Sequence, residues 1–354
     1  MADARIEAAI ANWAHRFTAN GVPLSDFQKV TGGLESWDDW CGAWSARAAI
    51  HEKLGEEALD DGFGLSAGEH FERAGLLFHF AKFLFAVDPV QMKAAHRKAV
   101  DCRTRALPHL RPPGERVAIP FEGSRLMGIL RRPRGEARPP VVIMCVGLDS
   151  TKEEMGTNEA NYLGRGMATL AFDGPGQGEA EYEFPLRGDF ESAVTAVVDW
   201  IETREDLDAA RIGVWGVSMG GYFAARAAAF EKRLKACISI SGPYDYGPKL
   251  KHMPEISQDT FRMRSHGKTK EDAQAVADTL TLKHMDARID CPLFVLTGAN
   301  DRITPPENTE KILSVATGPT RFLLIEDAGH VANNRRYCYD GPTSDWMAQY
   351  LGAG

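Results

Sequence analysis

The chain has 354 residues, 44% of them hydrophobic and 25% charged, and a formal net charge of −8. That length fits one large α/β unit with an extra piece, or two modest domains, and the composition is ordinary for a soluble globular protein. The acidic balance argues against a general nucleic-acid or anionic-membrane binder, since both need a basic face.

The first stretch, "MADARIEAAIANWAHRF", is amphipathic with early acids, without the basic start and apolar core of a secretion signal. Residues 1–112 read as a helical region. Trp37, Trp40 and Trp44 recur at helical spacing, and an apolar helix is expected around 68–87. Its centre, "AGLLFHFAKFLFAV", is too short to cross a bilayer. Within it, His79 and Lys82 are expected to be partnered or snorkelling rather than catalytic, and the tryptophan stripe to be helix packing rather than a substrate cage. "PHLRPPGER", 108–116, carries three prolines and a glycine and reads as a linker.

Beyond it, short apolar runs alternate with helical stretches. The strand candidates are "VVIMCVG" (141–147), "MATLAFDG" (167–174), "RIGVWGVS" (211–218), "LKACISIS" (234–241), "CPLFVLTG" (291–298) and "RFLLIED" (321–327). "DFESAVTAVVDWIET" and "GYFAARAAAFEKR" are helices between them. Strands apolar along their whole length predict an α/β fold with a mostly parallel central sheet and helices on both faces, over residues 113–354. The connection at 243–289 is too long for a simple crossover. It contains "TKEDAQAVADTLTLKHM", read as helical, and is expected to be an insertion over the carboxyl edge of the sheet.

Cys41, Cys102, Cys145, Cys237, Cys291 and Cys338 are scattered, with no C-x-x-C pair. This usage fits a reducing cytoplasm, with neither a disulfide framework nor a zinc site. No two histidines share a ligand-like spacing, so no metal is expected. "AFDGPGQGEAEYEF", 171–184, lacks the lysine and Ser/Thr of a phosphate loop, so no nucleotide cofactor is expected either.

The chemistry centres on "VWGVSMGGY", 214–222, which sets Ser218 between Gly216 and Gly220 at a strand-to-helix junction. A G-x-S-x-G turn there is a nucleophile elbow, and it predicts an acid and then a histidine after later strands. "FVLTGANDRITP" supplies Asp301 and "FLLIEDAGHVANN" supplies His330. Of the histidines after Ser218, His252, His266 and His284 fall in the insertion. Asp327 lies so close to His330 that the backbone would have to double back. In the expected arrangement His330 takes the proton of Ser218 during attack on a carbonyl, and Asp301 fixes the imidazole. The oxyanion donors expected are the backbone N–H of Met219 and one from Gly147 or Leu148, with Leu148 favoured. Tyr244, Asp245 and Tyr246 begin the insertion beside the catalytic edge and are expected to line the substrate pocket.

Several segments outside the elbow carry a resemblance: "AGLLFHFAKFLF", "GLDSTKEE" (147–154), "RGMATLAFDGPGQGE" (165–179), "GANDRITP" and "DAGHVANN". With them the sequence resembles the 2,6-dihydroxypseudooxynicotine hydrolase-like family of α/β-hydrolases, which has fungal polyketide-shortening relatives. The resemblance implies an α/β-hydrolase fold with a helical cap from the N-terminal region and the insertion, a homodimer, and hydrolysis of a carbon–carbon bond next to a ketone. It also implies an additional glutamate shortly after the strand following the elbow. Here that stretch reads "YDYGPKLKHMPE", whose acids are Asp245 and Glu255. The expected partner is a small ketone or ester, because the same three residues serve a carboxylesterase or lactonase. A hydrolase-fold binding protein without activity is the reading from another class, and it has no need of the elbow, acid and histidine together.

Overall fold

The computed structural model describes residues 3–353. Its first part is helical: α1 (Ala4–Ala19), α2 (Leu24–Thr31), α3 (Trp40–Asp60), α4 (Gly64–Lys82) and α5 (Pro89–Ala106). Local chemistry sets the ends. Asp3 caps α1 through a 2.9 Å bond from the Arg5 amide, and Asp88 caps α5 by accepting from Val90 and Gln91, with Pro89 at the first position. Ile6, Ala9, Trp13 and Phe17 lie on the buried side of α1, the stripe an amphipathic helix presents to a core.

Two compact units divide the chain. The first runs to Arg116 and includes residues 153–157 and 254–260; the second comprises 117–152, 158–253 and the residues from Phe261 onward. The expected insertion is thus shared between the units.

An aromatic core fills the first unit. Trp37, Trp40 and Trp44 are fully buried, and Phe17 stacks on Phe80 with ring centroids 3.9 Å apart. The Trp40 indole N–H donates to the Phe80 carbonyl at 2.9 Å, so the stripe is packing. α4 stops at Lys82, short of the expected residue 87. Leu84 has φ 53°, which an α-helix does not tolerate.

Glu154, the last residue of "GLDSTKEE", sits inside this unit. It receives Arg16 Nε and Nη2 at 2.6 Å each, Asn20 Nδ2 at 2.6 Å, and lies 3.2 Å from His79 Nε2. His79 is therefore partnered, and Lys82 is buried rather than snorkelling. Burial would raise the Glu154 carboxyl, but Arg16 and His79 outweigh it and hold the group well below the carboxylate range. Such a depressed acid stabilises the fold fully above its ordinary value of 4.5, and the contribution is lost as pH falls below that toward the folded value. Glu154→Gln is expected to destabilise the protein by about 3 kcal/mol at pH 7, because the buried Arg16 guanidinium loses the carboxylate charge that it meets through two bonds. In urea titrations the difference from wild type should shrink between pH 5 and pH 3. A constant difference would show that the charge of Glu154 is not what matters.

The second unit holds an eight-stranded sheet. The strands are β1 (Gly114–Phe121), β2 (Ser124–Arg131), β3 (Val141–Cys145), β4 (Ala168–Phe172), β5 (Ile212–Val217), β6 (Leu234–Ile240), β7 (Leu293–Gly298) and β8 (Thr320–Ile325), in the order β1-β2-β4-β3-β5-β6-β7-β8. β2 pairs antiparallel with β4, and the pairs from β4 to β8 are parallel. The helices in this part of the chain are α6 (Gly156–Leu163), α7 (Glu191–Glu202), α8 (Met219–Phe230), α9 (Glu255–Arg264), α10 (Lys270–Thr279), α11 (Pro306–Glu310) and α12 (Asp340–Leu351).

Successive residues of a strand face opposite sides of a sheet, and β5 shows what covers each. A Cβ on Gly213 would meet the sulfur of Met347 on α12, whereas one on Gly216 would meet the Gly220 carbonyl on α8. The sheet is therefore covered on both faces, which is why β3, β4 and most of β5 are buried along their length.

Two readings of the sequence need correction. The end of the supposed linker, from Gly114, already belongs to β1, whose alternating burial at Val117, Ile119 and Phe121 marks a half-covered edge strand. The helical reading of "TKEDAQAVADTLTLKHM" holds only to Thr279. Beyond it the backbone is extended, with the Leu282 amide donating to the Tyr244 carbonyl at 2.8 Å and the Tyr246 amide to the Leu280 carbonyl at 2.9 Å. No helix among the described residues is long and apolar enough to cross a membrane.

Candidate active site

The strand order reverses at β3: the chain goes from β3 to β4 on one side, then returns to place β5 on the other. The crevice at the carboxyl ends of such neighbouring strands is where open α/β sheets bind ligands. Ser218 lies there, between β5 and α8, with φ 55° and ψ −125°. Few residues other than glycine adopt that conformation, and the surroundings enforce it. The Ser218 amide donates to the Ile240 carbonyl at 2.8 Å, and its carbonyl accepts from Gly221 at 2.8 Å. A Cβ on Gly220 would lie 2.1 Å from the Cys145 carbonyl oxygen, so α8 can start this close to β3 only with glycine there.

His330 follows β8, and its Nε2 is 2.9 Å from Ser218 Oγ. Its Nδ1 lies 2.8 and 3.0 Å from the two oxygens of Asp301, which follows β7. The three expected side chains thus form one hydrogen-bonded chain. Asp301 is held from below by the amides of Ile303 at 2.9 Å and Thr304 at 2.8 Å. Burial would raise its carboxyl, but His330, the Thr304 amide and the Ser241 hydroxyl outweigh burial and keep it below the usual range. Asp327 is turned away in an ion pair with Arg335.

Ser241, at the end of β6, was not singled out by sequence. Its fully buried hydroxyl accepts from the Val331 amide at 3.1 Å, lies 3.1 Å from Thr297 Oγ1 and reaches Asp301. It therefore ties the acid to the turn that carries the histidine, where Val331 and Ala332 both have positive φ.

Gly147 lies against the elbow: a Cβ there would be 3.4 Å from Ser218 Cβ. Leu148 follows it and is buried, and Met219 opens α8, where helix amides have no acceptor within the helix. The loop carrying Gly147 and Leu148 is clamped by another residue outside the sequence expectations. Gln177 Nε2 donates to the carbonyls of Val146 at 2.6 Å and Gly147 at 2.8 Å, while its Oε1 accepts from Gly174 at 3.3 Å. Farther along the loop, Lys152 Nζ is 2.6 Å from Asp173 Oδ2 and 2.7 Å from Glu179 Oε2, and the lysine and aspartate side chains are fully buried. Burial would raise Asp173, yet Lys152 and the backbone donors hold it low. "GLDSTKEE" and "FDGPGQGE" are thus two halves of one polar clamp. Their spacing in sequence gave no sign that they meet.

Tyr244 and Asp245 are partly buried, their amides held by Asn308 Oδ1 at 2.6 and 3.1 Å. The Asp245 carboxylate is paired with Lys283. Tyr246 is buried and stacks on Phe261 with centroids 5.2 Å apart. Glu255 is exposed and groups with the helical unit.

A parallel sheet with a serine on a strained turn, hydrogen-bonded through a histidine to a buried aspartate, defines an α/β-hydrolase. Residues 155–354 match the model of the prolyl oligopeptidase family. The chain is 34% identical over 352 residues to 2,6-dihydropseudooxynicotine hydrolase of Paenarthrobacter nicotinovorans, covering 98% of this chain and 94% of that protein. A crystal structure of 2,6-dihydroxy-pseudo-oxynicotine hydrolase superposes with a TM-score of 0.87 at 31% identity, over 96% of each chain. The 20-hydroxy-prefusarin hydrolase of Gibberella moniliformis is 34% identical over 243 residues, 64% of this chain and 57% of its own length. The chain thus spans little more than half of that fungal relative. The protein belongs to the α/β-hydrolase family of 2,6-dihydropseudooxynicotine hydrolase, within the wider prolyl oligopeptidase family.

Proposed function

We propose that this protein hydrolyses a carbon–carbon bond next to a ketone, with Ser218 as nucleophile, His330 as acid–base and Asp301 as the group that orients and stabilises the imidazolium. The observation that carries the reading is His330, which sits within hydrogen-bond reach of both Ser218 Oγ and Asp301. Similarity along nearly the whole chain to 2,6-dihydropseudooxynicotine hydrolase favours a ketone over an ester. Ser218 attacks the carbonyl, and the oxyanion is received by the amides of Met219 and Leu148. The carbon fragment leaves with the bonding electrons and is protonated from His330. Water then releases the acid from the acyl-serine.

Gln177 acts in this scheme by fixing the Leu148 amide. Gln177→Leu is expected to lower kcat about ten- to a hundredfold, below the ~10²–10³ loss for removing an oxyanion donor outright, with little change in KM. Gln177→Glu should recover little, since a carboxylate has no proton for the two carbonyls. Steady-state kinetics decide it; a rise in KM at constant kcat would place Gln177 in ground-state binding instead.

The test of the function is product analysis by mass spectrometry. Wild type and Ser218→Ala would be incubated with p-nitrophenyl esters, aryl ketones and β-diketones. Ser218-dependent conversion of a ketone into an acid and a carbon fragment supports the proposal. Turnover of esters alone would replace it by a carboxylesterase or lactonase using the same residues, and no turnover or serine labelling would leave a binding protein.

A further inference from the structure

Lys249 and Tyr246 lie in the turn after β6, outside the Ser218–His330–Asp301 chain. Lys249 Nζ donates to Thr304 Oγ1 at 2.7 Å and sits 5.3 Å from the centre of the Tyr246 ring. Among the described residues no carboxylate makes a salt bridge with it; the nearby acid, Asp301, is committed to His330. Tyr246 is 3% exposed, and its hydroxyl has no hydrogen-bond partner among the described residues. A buried donor left open and a partly buried ammonium satisfied only by a hydroxyl are both costly unless a ligand completes them.

Their position is specific. Thr304, which receives Lys249, also gives its amide to Asp301. On the other side, the Tyr246 hydroxyl lies in the field of Asp149, the residue after Leu148. Lys249 therefore touches the turn of the catalytic acid directly, and Tyr246 lies within electrostatic range of the residue that follows Leu148. The charged group acting on Lys249 is Asp301, and the one acting on Tyr246 is Asp149.

We propose that Lys249 and Tyr246 bind the second oxygen of a β-diketone or acylphenol substrate and stabilise the negative charge that reaches it when the carbon–carbon bond breaks. This rests on the carbon–carbon hydrolase reading and names the substrate feature it needs. As the Oγ–carbon bond forms, the serine proton passes to His330. In a β-diketone the electron pair of the breaking carbon–carbon bond delocalises onto the second oxygen as an enolate, and the His330 proton then goes to carbon. In an acylphenol bound as its phenolate, the ring carbon takes the His330 proton first, and bond breaking returns the pair through the ring to the second oxygen as phenolate. Lys249 stays an ammonium and exchanges no proton. Burial pushes it down to about 8 against the opposing charge of Asp301, so it remains charged at neutral pH.

The test is binding to the Ser218→Ala protein, which separates recognition from turnover. Calorimetry would compare benzoylacetone, which has the second oxygen, with butyrophenone, which lacks it. The expected preference for benzoylacetone falls about tenfold or more on adding Lys249→Met and about threefold on adding Tyr246→Phe, and Lys249→Arg restores most of it. Melting curves and circular dichroism establish that each variant is folded. An unchanged preference in the Lys249→Met protein, or no preference before that substitution, overturns the inference. If wild type cleaves only esters but the Lys249-dependent preference persists, the carbon–carbon reading fails and the anion-binding pair stands.

Discussion

Ser218→Ala is expected to lower turnover by roughly ten-thousand-fold or more, while substrate affinity changes only a few-fold. The alanine keeps the elbow backbone, the amides of Met219 and Leu148 and the His330–Asp301 pair, so in the proposed mechanism only formation of the acyl bond is lost. Without the serine hydroxyl, His330 keeps Nδ1 on Asp301 and its Nε2 has only water to act on, which would have to attack the carbonyl directly instead of through an acyl-serine. Single-turnover kinetics on whichever substrate wild type cleaves, together with labelling by a serine-directed phosphonate, measure the effect. Residual activity above about one per cent, with the phosphonate bound elsewhere, would move the nucleophile away from Ser218.

The second large effect concerns stability. Lys152→Met removes the cation between Asp173 and Glu179, and leaves the fully buried Asp173 carboxylate without its counter-ion. Breaking a buried pair from one side costs about 3–5 kcal/mol, which for a unit of this size lowers the melting midpoint by roughly 10 °C. Adding Asp173→Asn should return part of the loss, because an amide carries no charge to strand and its single oxygen still accepts one of the two backbone amides, at position 152 or 179, that the carboxylate oxygens receive separately. Denaturant unfolding of the single and double variants checks this. A Lys152→Met protein within 1 kcal/mol of wild type would show that water or a rearranged partner neutralises Asp173.

Much of the site was legible because its signals are local. Ser218, Asp301 and His330 each sit just past a strand, and strand ends can be read from short apolar runs. Of the elbow glycines, Gly216 is dictated locally by the approach of the Gly220 carbonyl, while Gly220 also answers to the Cys145 carbonyl on β3, although the G-x-S-x-G pattern shows both. Other parts were legible but passed over: β1 alternates at Val117, Ile119 and Phe121 as an edge strand does, directly behind the prolines that drew attention to a linker. The end of α10 at Thr279 was hidden for a different reason. The residues after it have no strong intrinsic conformation, and what extends them is pairing with Tyr244 and Tyr246, some 35 residues earlier.

By itself the sequence determined the class of fold, the side chains of the hydrogen-bonded chain and the glycines that let the serine stand on its turn. These follow from periodicity, turn chemistry and steric exclusion, which act over a few residues. Only the tertiary structure decided how the two distinctive motifs are used: Gln177 clamping the Val146 and Gly147 carbonyls, and Lys152 buried between Asp173 and Glu179. It also decided that Asp245 is engaged by Lys283, whereas Lys249 lies near Asp301. Such outcomes depend on which buried polar groups meet across separate loops. A buried donor or charge must be satisfied wherever the fold brings a partner, and distance along the chain does not say where that is.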